Sequence, residues 1–344
     1  MRAIIDCGTT NTRIYLVDPE GRIVAQSTRK VGVRNTAMTG SKDTLRNGIC
    51  EAMTEALDHA GLQESDIECA VASGMITSEI GLIELPHLVT PVGIHDLASH
   101  VQFVPARELL PLDMPILFIR GVRNNYGAHA TLADIRKVDF MRGEETQVMG
   151  ILQDFAIKGP VNILVLSSHT KVIHVNHESK IEASLTTLSG QLYEAIFKET
   201  MIGQSLAERT GETSGGYSDD EIVSIAAQVV EETGLDRCLM IPRFMQVLLQ
   251  SDYRERNLFL DACIAADDLK CISDLHRQGY QADTHILFGH ANRCALYADL
   301  LKKKFGDHLM FIAVSDKEKQ SELTIMGAQA IVDRWRALEK QQGG

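Results

Sequence analysis

The chain contains, near its start, Ile5-Asp6-Cys7-Gly8-Thr9-Thr10-Asn11-Thr12-Arg13-Ile14-Tyr15-Leu16-Val17, a polar turn between two apolar strands. Gly8 permits a tight turn and a close backbone approach. Thr9, Thr10 and Asn11 supply side-chain donors, and the N–H groups of such a turn can form an anion-binding nest. Asp6, at the end of the strand, has a carboxylate that could hold Mg²⁺, usually through water, near phosphate oxygens. The stretch favours a phosphate-binding turn. Taken alone, it fits equally well a polar hairpin in which the Asp and Asn side chains only satisfy the hydrogen bonds of the turn.

The same arrangement returns 158 residues later without a gap. Residues 163–175 align with residues 5–17, and the polar turn at 176–181 aligns with the turn at 18–23. Each copy is a strand, a hydroxyl-rich turn, a strand, a polar turn and a strand. Repetition of a supersecondary unit predicts two related lobes, the alternative being that β-hairpins simply resemble one another.

Helices and strands alternate through the rest of the chain. Apolar periodicity and capping residues predict helices at 41–59, with Ser41 as the N-cap and Gly61 as the stop, and at 188–200, 218–233, 236–250, 254–275, 292–305 and 318–338. Further strands are predicted at 67–72, 116–119, 284–288 and 310–314. This alternation indicates an α/β protein rather than a sandwich.

Composition excludes several classes of protein. A length of 344 residues favours two domains, and 44% apolar with 23% charged residues is ordinary globular composition. A net charge of −12 without a basic run argues against nucleic-acid or anionic-membrane partners. The sequence shows neither an apolar run of membrane-spanning length nor a signal-peptide core. Seven scattered cysteines, never spaced C-x-x-C, favour free thiols in a reducing compartment, so a cytoplasmic location is expected.

Other nucleotide and metal motifs are missing from the sequence. Gly40-Ser41-Lys42 lacks the earlier glycine of a P-loop, no G-x-G-x-x-G follows a strand, and His177-Glu178 lacks the second histidine of H-E-x-x-H. The hydroxyl-rich turn is therefore the leading candidate for phosphate recognition.

Four further segments resemble segments of one known family. Met141-Arg142-Gly143-Glu144-Glu145-Thr146-Gln147 resembles the M-R-G-E-E-T-Q segment of 2-dehydro-3-deoxygalactonokinases. Ser73–Ser78 resembles that family's A-G-M-x-G-S loop, residues 167–171 stand where it has G-T-H-x-K, and Leu188–Leu192 resembles its T-G-E-L. The first turn itself resembles the Asp-x-Gly-x-Thr-Asn-x-Arg turn of the wider actin, Hsp70 and sugar-kinase superfamily.

The resemblance implies an α/β fold of two ribonuclease-H-like lobes with an interlobe cleft. Residues 1–137 would form an N-terminal lobe with the first phosphate turn and the sugar-binding side. Residues 138–344 would form a C-terminal lobe with the catalytic helix, the second phosphate turn and the nucleotide-binding side. The implied activity is ATP-dependent phosphorylation of 2-dehydro-3-deoxy-D-galactonate, or of a close 2-keto-3-deoxy sugar acid, with Mg²⁺.

The resemblance also implies roles for individual residues. The first turn would contact Mg²⁺ and the terminal phosphate through Asp6, Gly8, Thr9, Thr10, Asn11 and Arg13, with Asp6 on the metal. The second turn would face the β-phosphate through Ser168, His169, Thr170 and Lys171. A strand–helix turn would contact the adenosine through Gly289, Ala291 and Asn292, and the sugar acid would meet Gly74, Met75, Ser78 and Arg142.

The catalytic base is assigned to Glu144, because related kinases supply it at the start of the connecting helix, directly after a glycine. A helix dipole there lowers the pKa of a carboxylate and weakens it as a base. Glu145 points about 100° away on the helix, so the two carboxylates cannot both face one site. The alternative is a charged first helical turn without catalytic function.

Ser167, Leu166 and Val172 replace the glycine, proline and tryptophan that the family has at the second turn. This supports one competing hypothesis, a catalytically weak relative that senses a sugar acid or a nucleotide. A second competing hypothesis is a superfamily phosphohydrolase that uses water. Asp6, Asn11, Arg13 and Glu144 together favour the kinase, with a sugar acid and ATP as its partners and a homo-oligomer left open.

Overall fold

The structure is a computed structural model that describes residues 1–105, 107–127 and 129–342. Its strands are β1 (Arg2–Cys7), β2 (Thr12–Val17), β3 (Ile23–Arg29), β4 (Cys69–Gly74), β5 (Leu88–Val89), β6 (Gln102–Val104), β7 (Ile116–Phe118), β8 (Val122–Arg123), β9 (Phe140–Met141), β10 (Val161–Leu166), β11 (Thr170–Val175), β12 (Ile181–Thr187), β13 (Thr284–Gly289) and β14 (Met310–Val314). Its helices are α1 (Val33–Thr39), α2 (Asp43–Ala60), α3 (Ile94–Ser99), α4 (Glu144–Asp154), α5 (Ser189–Glu199), α6 (Gly203–Leu206), α7 (Asp219–Thr233), α8 (Leu235–Leu239), α9 (Ile241–Leu248), α10 (Tyr253–Arg277), α11 (Ala291–Phe305) and α12 (Lys317–Gln342).

The first sheet has the strand order β3-β2-β1-β4-β7-β6. β1 is antiparallel to β2, which pairs Asp6 with Arg13, and parallel to β4, which pairs Asp6 with Ser73. The carboxyl ends of β1 and β4 therefore lie side by side, and in α/β sheets this edge is where ligands bind. Ile4 and Ile5 in β1 are fully buried, so the strand that positions Asp6 is in the core.

The second sheet has the order β12-β11-β10-β13-β14. Its first three strands repeat the β3-β2-β1 arrangement, with β10 parallel to β13. β11 and β12 begin 158 residues after β2 and β3, whereas β10 begins 159 residues after β1. The predicted repeat is confirmed, with a shift of one residue in its first strand. A third, small sheet has the order β5-β8-β9.

Helix α2 covers the first sheet with the apolar side that its periodicity predicts. Leu45, Ile49 and Met53 are fully buried. Gly61 ends the helix in a left-handed conformation, as predicted. The predicted N-cap is wrong: the helix begins at Asp43 after Lys42, and the Ser41 hydroxyl instead accepts a hydrogen bond from the Asp43 N–H at 3.1 Å.

The helices that follow the second meander differ from prediction at two places. The short helix α6 was not predicted. The single helix predicted at 236–250 is two, α8 and α9, which break at Met240. Pro242 stands in the first turn of α9, and a proline cannot donate the backbone hydrogen bond that would continue α8. Ser218 caps α7, as predicted, by accepting from the Glu221 N–H at 3.2 Å.

Packing divides the chain into two compact units. One contains residues 1–159, residues 175–184 and the chain from Lys317 onward, and the other contains residues 160–174 and 185–316. The predicted lobes, 1–137 and 138–344, are defined by what each binds and stay a prediction, as does the cleft between them. Ala106, Ala128, Gly343 and Gly344 lie outside the described residues. Among those described, none of the helices has the length and apolarity needed to cross a bilayer.

Candidate active site

Three sequence-predicted segments of the first unit meet where β1 and β4 end. Cys7 pairs with Gly74 in the parallel register, and Gly74 has φ +89°. A Cβ at Gly74 would lie 2.5 Å from the Cys7 carbonyl oxygen, so only glycine fits there. Gly143 has φ +109°, and a Cβ there would lie 3.3 Å from the Gly74 Cα. The start of α4, and with it Glu144, is thereby held against the end of β4, the parallel neighbour of the strand that contains Asp6.

Asp6 and Arg13 form an ion pair at this edge, with 3.0 Å between Nη1 and Oδ2. Burial raises the pKa of Asp6, and the neighbouring guanidinium opposes that rise. Among the described residues no group of three or more His, Cys, Asp or Glu side chains has the geometry of a metal site. Asp6 is thus a largely buried carboxylate paired with a cation.

The first turn is fixed through its carbonyl groups. The Gly8 carbonyl accepts from the Val33 N–H at 3.3 Å, and the Thr9 carbonyl accepts from the Arg34 N–H at 2.9 Å. In a planar trans peptide the N–H points opposite to the C=O. The N–H groups of Thr9 and Thr10 therefore point away from α1, and no described residue accepts from them. Two adjacent donors directed to the same side form an anion-binding nest.

Gly32 makes this arrangement sterically possible. It stands just before α1, and a Cβ there would lie 2.5 Å from the Thr9 carbonyl oxygen and 2.6 Å from that of Gly8. The sequence prediction included Gly8, Thr9, Thr10 and Asn11 but missed Gly32, Val33 and Arg34, which hold the turn.

Glu144 and Glu145 have distinct environments at the start of α4. Glu145 is fully buried, and both of its carboxyl oxygens accept from the Gly143 N–H at 2.8 Å. Burial, and secondarily the adjacent Glu144 charge, raise the pKa of Glu145 to about 8. Glu144 is partly exposed, and its Oε2 is buried without a hydrogen-bond partner among the described residues. Glu145 therefore acts as a helix cap, whereas Glu144 has an oxygen available to a ligand.

Arg142, predicted to contact substrate, has its guanidinium bound to the protein. Nη1 donates to the Thr77 hydroxyl and Nη2 to the Leu85 carbonyl, both at 2.8 Å. Ser78 is buried and donates to the Met75 carbonyl at 2.7 Å. These contacts join the loop after β4 to the residues before α4. The predicted substrate roles of Gly74, Met75, Ser78 and Arg142 stay predictions, and Thr77 is a partner that the sequence did not indicate.

The second turn lies in the other unit, between β10 and β11. Ser168 is exposed and His169 is partly exposed, whereas Thr170 and Lys171 are buried in β11. The Lys171 Nζ donates to the Thr186 hydroxyl at 2.6 Å, and the Thr170 hydroxyl lies 3.5 Å from that of Tyr297. The side chains of Thr170 and Lys171 are thus engaged within the protein, and the predicted phosphate contacts of the second turn stay predictions.

The second turn, like the first, is fixed through two consecutive carbonyl groups, but one of them accepts from a side chain. The Ser167 carbonyl accepts from Arg293 Nη1 at 3.3 Å, and the Ser168 carbonyl accepts from the Gln191 N–H at 2.9 Å. The N–H groups of Ser168 and His169 consequently point the other way. Gly190 stands 158 residues after Gly32, and a Cβ there would overlap the Ser167 carbonyl oxygen. The repeat thus includes the glycine that packs on each turn.

The residues predicted to contact the adenosine lie at the junction of β13 and α11. Gly289 ends β13, and a Cβ there would lie 2.8 Å from the Leu166 Cβ. Ala291 and Asn292 are exposed in the first turn of α11. Arg293, the next residue, was not predicted, although its guanidinium bonds the second turn.

The two sheets and their hydroxyl-rich turns have the fold of the actin, Hsp70 and sugar-kinase superfamily. The family model for 2-keto-3-deoxy-galactonokinase matches residues 6–318, and the chain belongs to that family. A Rhizobium meliloti (strain 1021) protein assigned as a 2-dehydro-3-deoxygalactonokinase is 23% identical over 222 residues, which are 64% of this chain and 64% of that relative. A crystal structure of a Sinorhizobium meliloti protein with the same assignment has a TM-score of 0.71 at 20% identity, covering 96% of this chain and 98% of that one.

Proposed function

We propose that the protein is an ATP-dependent kinase that phosphorylates 2-dehydro-3-deoxy-D-galactonate, or a close 2-keto-3-deoxy sugar acid, at its terminal hydroxyl. The main support is the convergence of Asp6, Gly74 and Glu144 at one sheet edge of the first unit. Family membership supports the same conclusion. The proposed setting is the cytoplasm, without nucleic-acid or membrane partners.

Phosphoryl transfer needs in-line positioning, neutralisation of charge and a group that takes the proton of the attacking hydroxyl. The N–H groups of Thr9 and Thr10 would bind oxygens of the terminal phosphate. Arg13 would add positive charge beside them. Glu144, whose Oε2 has no hydrogen-bond partner in the part of the chain that the structure describes, would accept the hydroxyl proton.

Mg²⁺ fits these residues as part of a nucleotide complex. Proteins usually hold Mg²⁺ through one or two carboxylates together with substrate phosphates and water, and rarely in an all-protein cage. The Asp6 carboxylate, at the end of β1 beside the first turn, matches that mode. When bound, the ion would neutralise charge on the transferring phosphate. Asp6 would hold it, and Arg13 would orient the Asp6 carboxylate.

The nucleotide would be bound by the second unit. The N–H groups of Ser168 and His169 would contact the β-phosphate, and the surface at Gly289, Ala291 and Asn292 would receive the adenosine. Thr170 and Lys171 would act by shaping β11, because their side chains are buried.

A turnover assay tests the proposal. The protein is incubated with Mg-ATP and a panel of 2-keto-3-deoxy acids, and ADP release and the phosphorylated product are both measured. Sugar-acid-dependent ADP release with a phosphorylated terminal hydroxyl is expected. Phosphate release without a sugar acid would instead indicate a phosphohydrolase. Binding without any turnover would indicate a sensor.

A further inference from the structure

A buried carboxylate, Asp268, lies behind the second turn in the second unit. It is in the middle of α10 and 4% exposed, and no role was predicted for it. The Ser189 hydroxyl is 2.6 Å from both of its oxygens and donates to them. The Tyr297 hydroxyl also donates to it. A buried carboxylate with two hydroxyl donors holds both donors in fixed positions, because leaving it unpaired is costly.

The first branch from Asp268 runs through Ser189 to the Ser168 carbonyl. Ser189 is the first residue of α5, and its hydroxyl is also 2.7 Å from that of Thr187. Two residues on, the Gln191 N–H donates to the Ser168 carbonyl at 2.9 Å. Fixing Ser189 therefore fixes the helix start that orients this peptide.

The second branch runs through Tyr297 to the Ser167 carbonyl. The Tyr297 oxygen accepts from Arg293 Nη2 at 3.2 Å while its hydroxyl donates to Asp268. The other terminal nitrogen of Arg293 donates to the Ser167 carbonyl at 3.3 Å. Both consecutive carbonyls of the turn are thus held by groups that connect to one carboxylate.

We propose that Asp268 is a positioning residue for nucleotide phosphate, and that through Ser189 and Tyr297 it holds the N–H groups of Ser168 and His169 toward the β-phosphate. The inference rests on the proposed function, because it assumes that the second turn binds the nucleotide. Asp268 touches neither nucleotide nor sugar in this scheme. Through the second turn it affects only the binding of the phosphate, and it leaves the adenosine surface at Gly289 and Ala291 unaffected.

The test compares ADP with adenosine by calorimetric titration of the full-length protein. Asp268→Ala should weaken ADP about tenfold, the loss expected when a buried hydrogen-bonded group is removed. Adenosine affinity should change less than about twofold, since adenosine has no phosphate for the turn to bind. Asp267→Ala is the matched control, because Asp267 is the adjacent residue on α10, partly exposed and paired with Lys270 at 2.6 Å. It should change neither affinity.

Single-branch variants keep the test valid if Asp268→Ala does not fold. Ser189→Ala and Tyr297→Phe each remove one branch, and each should weaken ADP selectively. Asp268→Asn, which keeps the volume and one acceptor, should lie between the wild type and Asp268→Ala. In the kinase assay the KM for ATP should rise while the KM for the sugar acid stays constant.

Equal losses for ADP and adenosine, or no loss for any of these variants, would overturn the proposal, as would a wild type that binds no ADP. A wild type that binds ADP but phosphorylates no sugar acid would refute the kinase function alone. In that case the ADP and adenosine titrations would still decide the role of Asp268.

Discussion

Replacing Glu144 by glutamine is the most direct test of the proposed chemistry. The substitution keeps the shape of the side chain and removes its ability to accept a proton. Because no described residue bonds the Glu144 Oε2, we expect little change in folding stability. General-base assistance is typically worth about 10²–10⁴-fold in rate. At about 1.4 kcal/mol for each factor of ten, this raises the activation barrier by roughly 3–5 kcal/mol.

The assay is steady-state turnover with saturating sugar acid and varied Mg-ATP. Glu144→Gln should lower kcat in that range and leave the KM for ATP nearly unchanged, since the base contacts the hydroxyl. Glu145→Gln is the matched control, and it should cost much less. Glu145 has a pKa of about 8, so near pH 7 it is mostly the neutral acid that glutamine imitates.

Two outcomes would refute this reasoning. If Glu145→Gln is the more damaging change, the buried residue with the raised pKa is the base, and the assignment is wrong by one position on the helix. If neither change matters while the wild type is active, both carboxylates only stabilise the first turn of α4. Catalysis would then depend on positioning and the metal.

Two further substitutions, Asp6→Asn and Gly74→Ala, and the pH dependence of Glu145→Gln test separate parts of the site. Asp6→Asn should leave the thermal melt unchanged and greatly reduce kcat, and an unchanged kcat at saturating Mg²⁺ would exclude Asp6 from the site. Gly74→Ala should destabilise the fold by about 3 kcal/mol or more in urea unfolding, whereas Gly40→Ala, with positive φ but open space around it, should cost only about 1 kcal/mol. Since burial raises the pKa of Glu145, the stability it gives is complete below the unfolded pKa near 4.5 and is lost as pH rises to about 8. Glu145→Gln should therefore be more stable than the wild type at pH 9, by at most roughly 5 kcal/mol, and equal pH profiles of unfolding would contradict the assignment.

The sequence predicted those features that depend on local pattern. The first turn, the two meanders and most helices follow from apolar periodicity and from glycine and hydroxyl residues at fixed spacing. The break at Met240 was missed because the apolar periodicity continues across it, although Pro242 was a local signal. Ser41 was misassigned because its hydroxyl bonds the first helical N–H from one position before the cap.

The contacts that shape the site could not be read from local pattern. Arg293 reaches the Ser167 carbonyl across 126 residues, and Asp268 bonds a serine 79 residues away. Such pairs depend on which helices pack together. One signal was available: Gly32 and Gly190 keep the 158-residue offset, and extending the repeat to them would have identified the helix starts that hold both turns.

The two turns differ in how readily evolution can alter them. The first is held by main-chain N–H groups of Val33 and Arg34, which no side-chain substitution removes except proline. The second is held partly by the Arg293 side chain, which a single codon change can replace. Mutation can therefore adjust the orientation of the second turn while the first keeps its shape. A duplicated unit thereby combines one invariant turn with one adjustable turn.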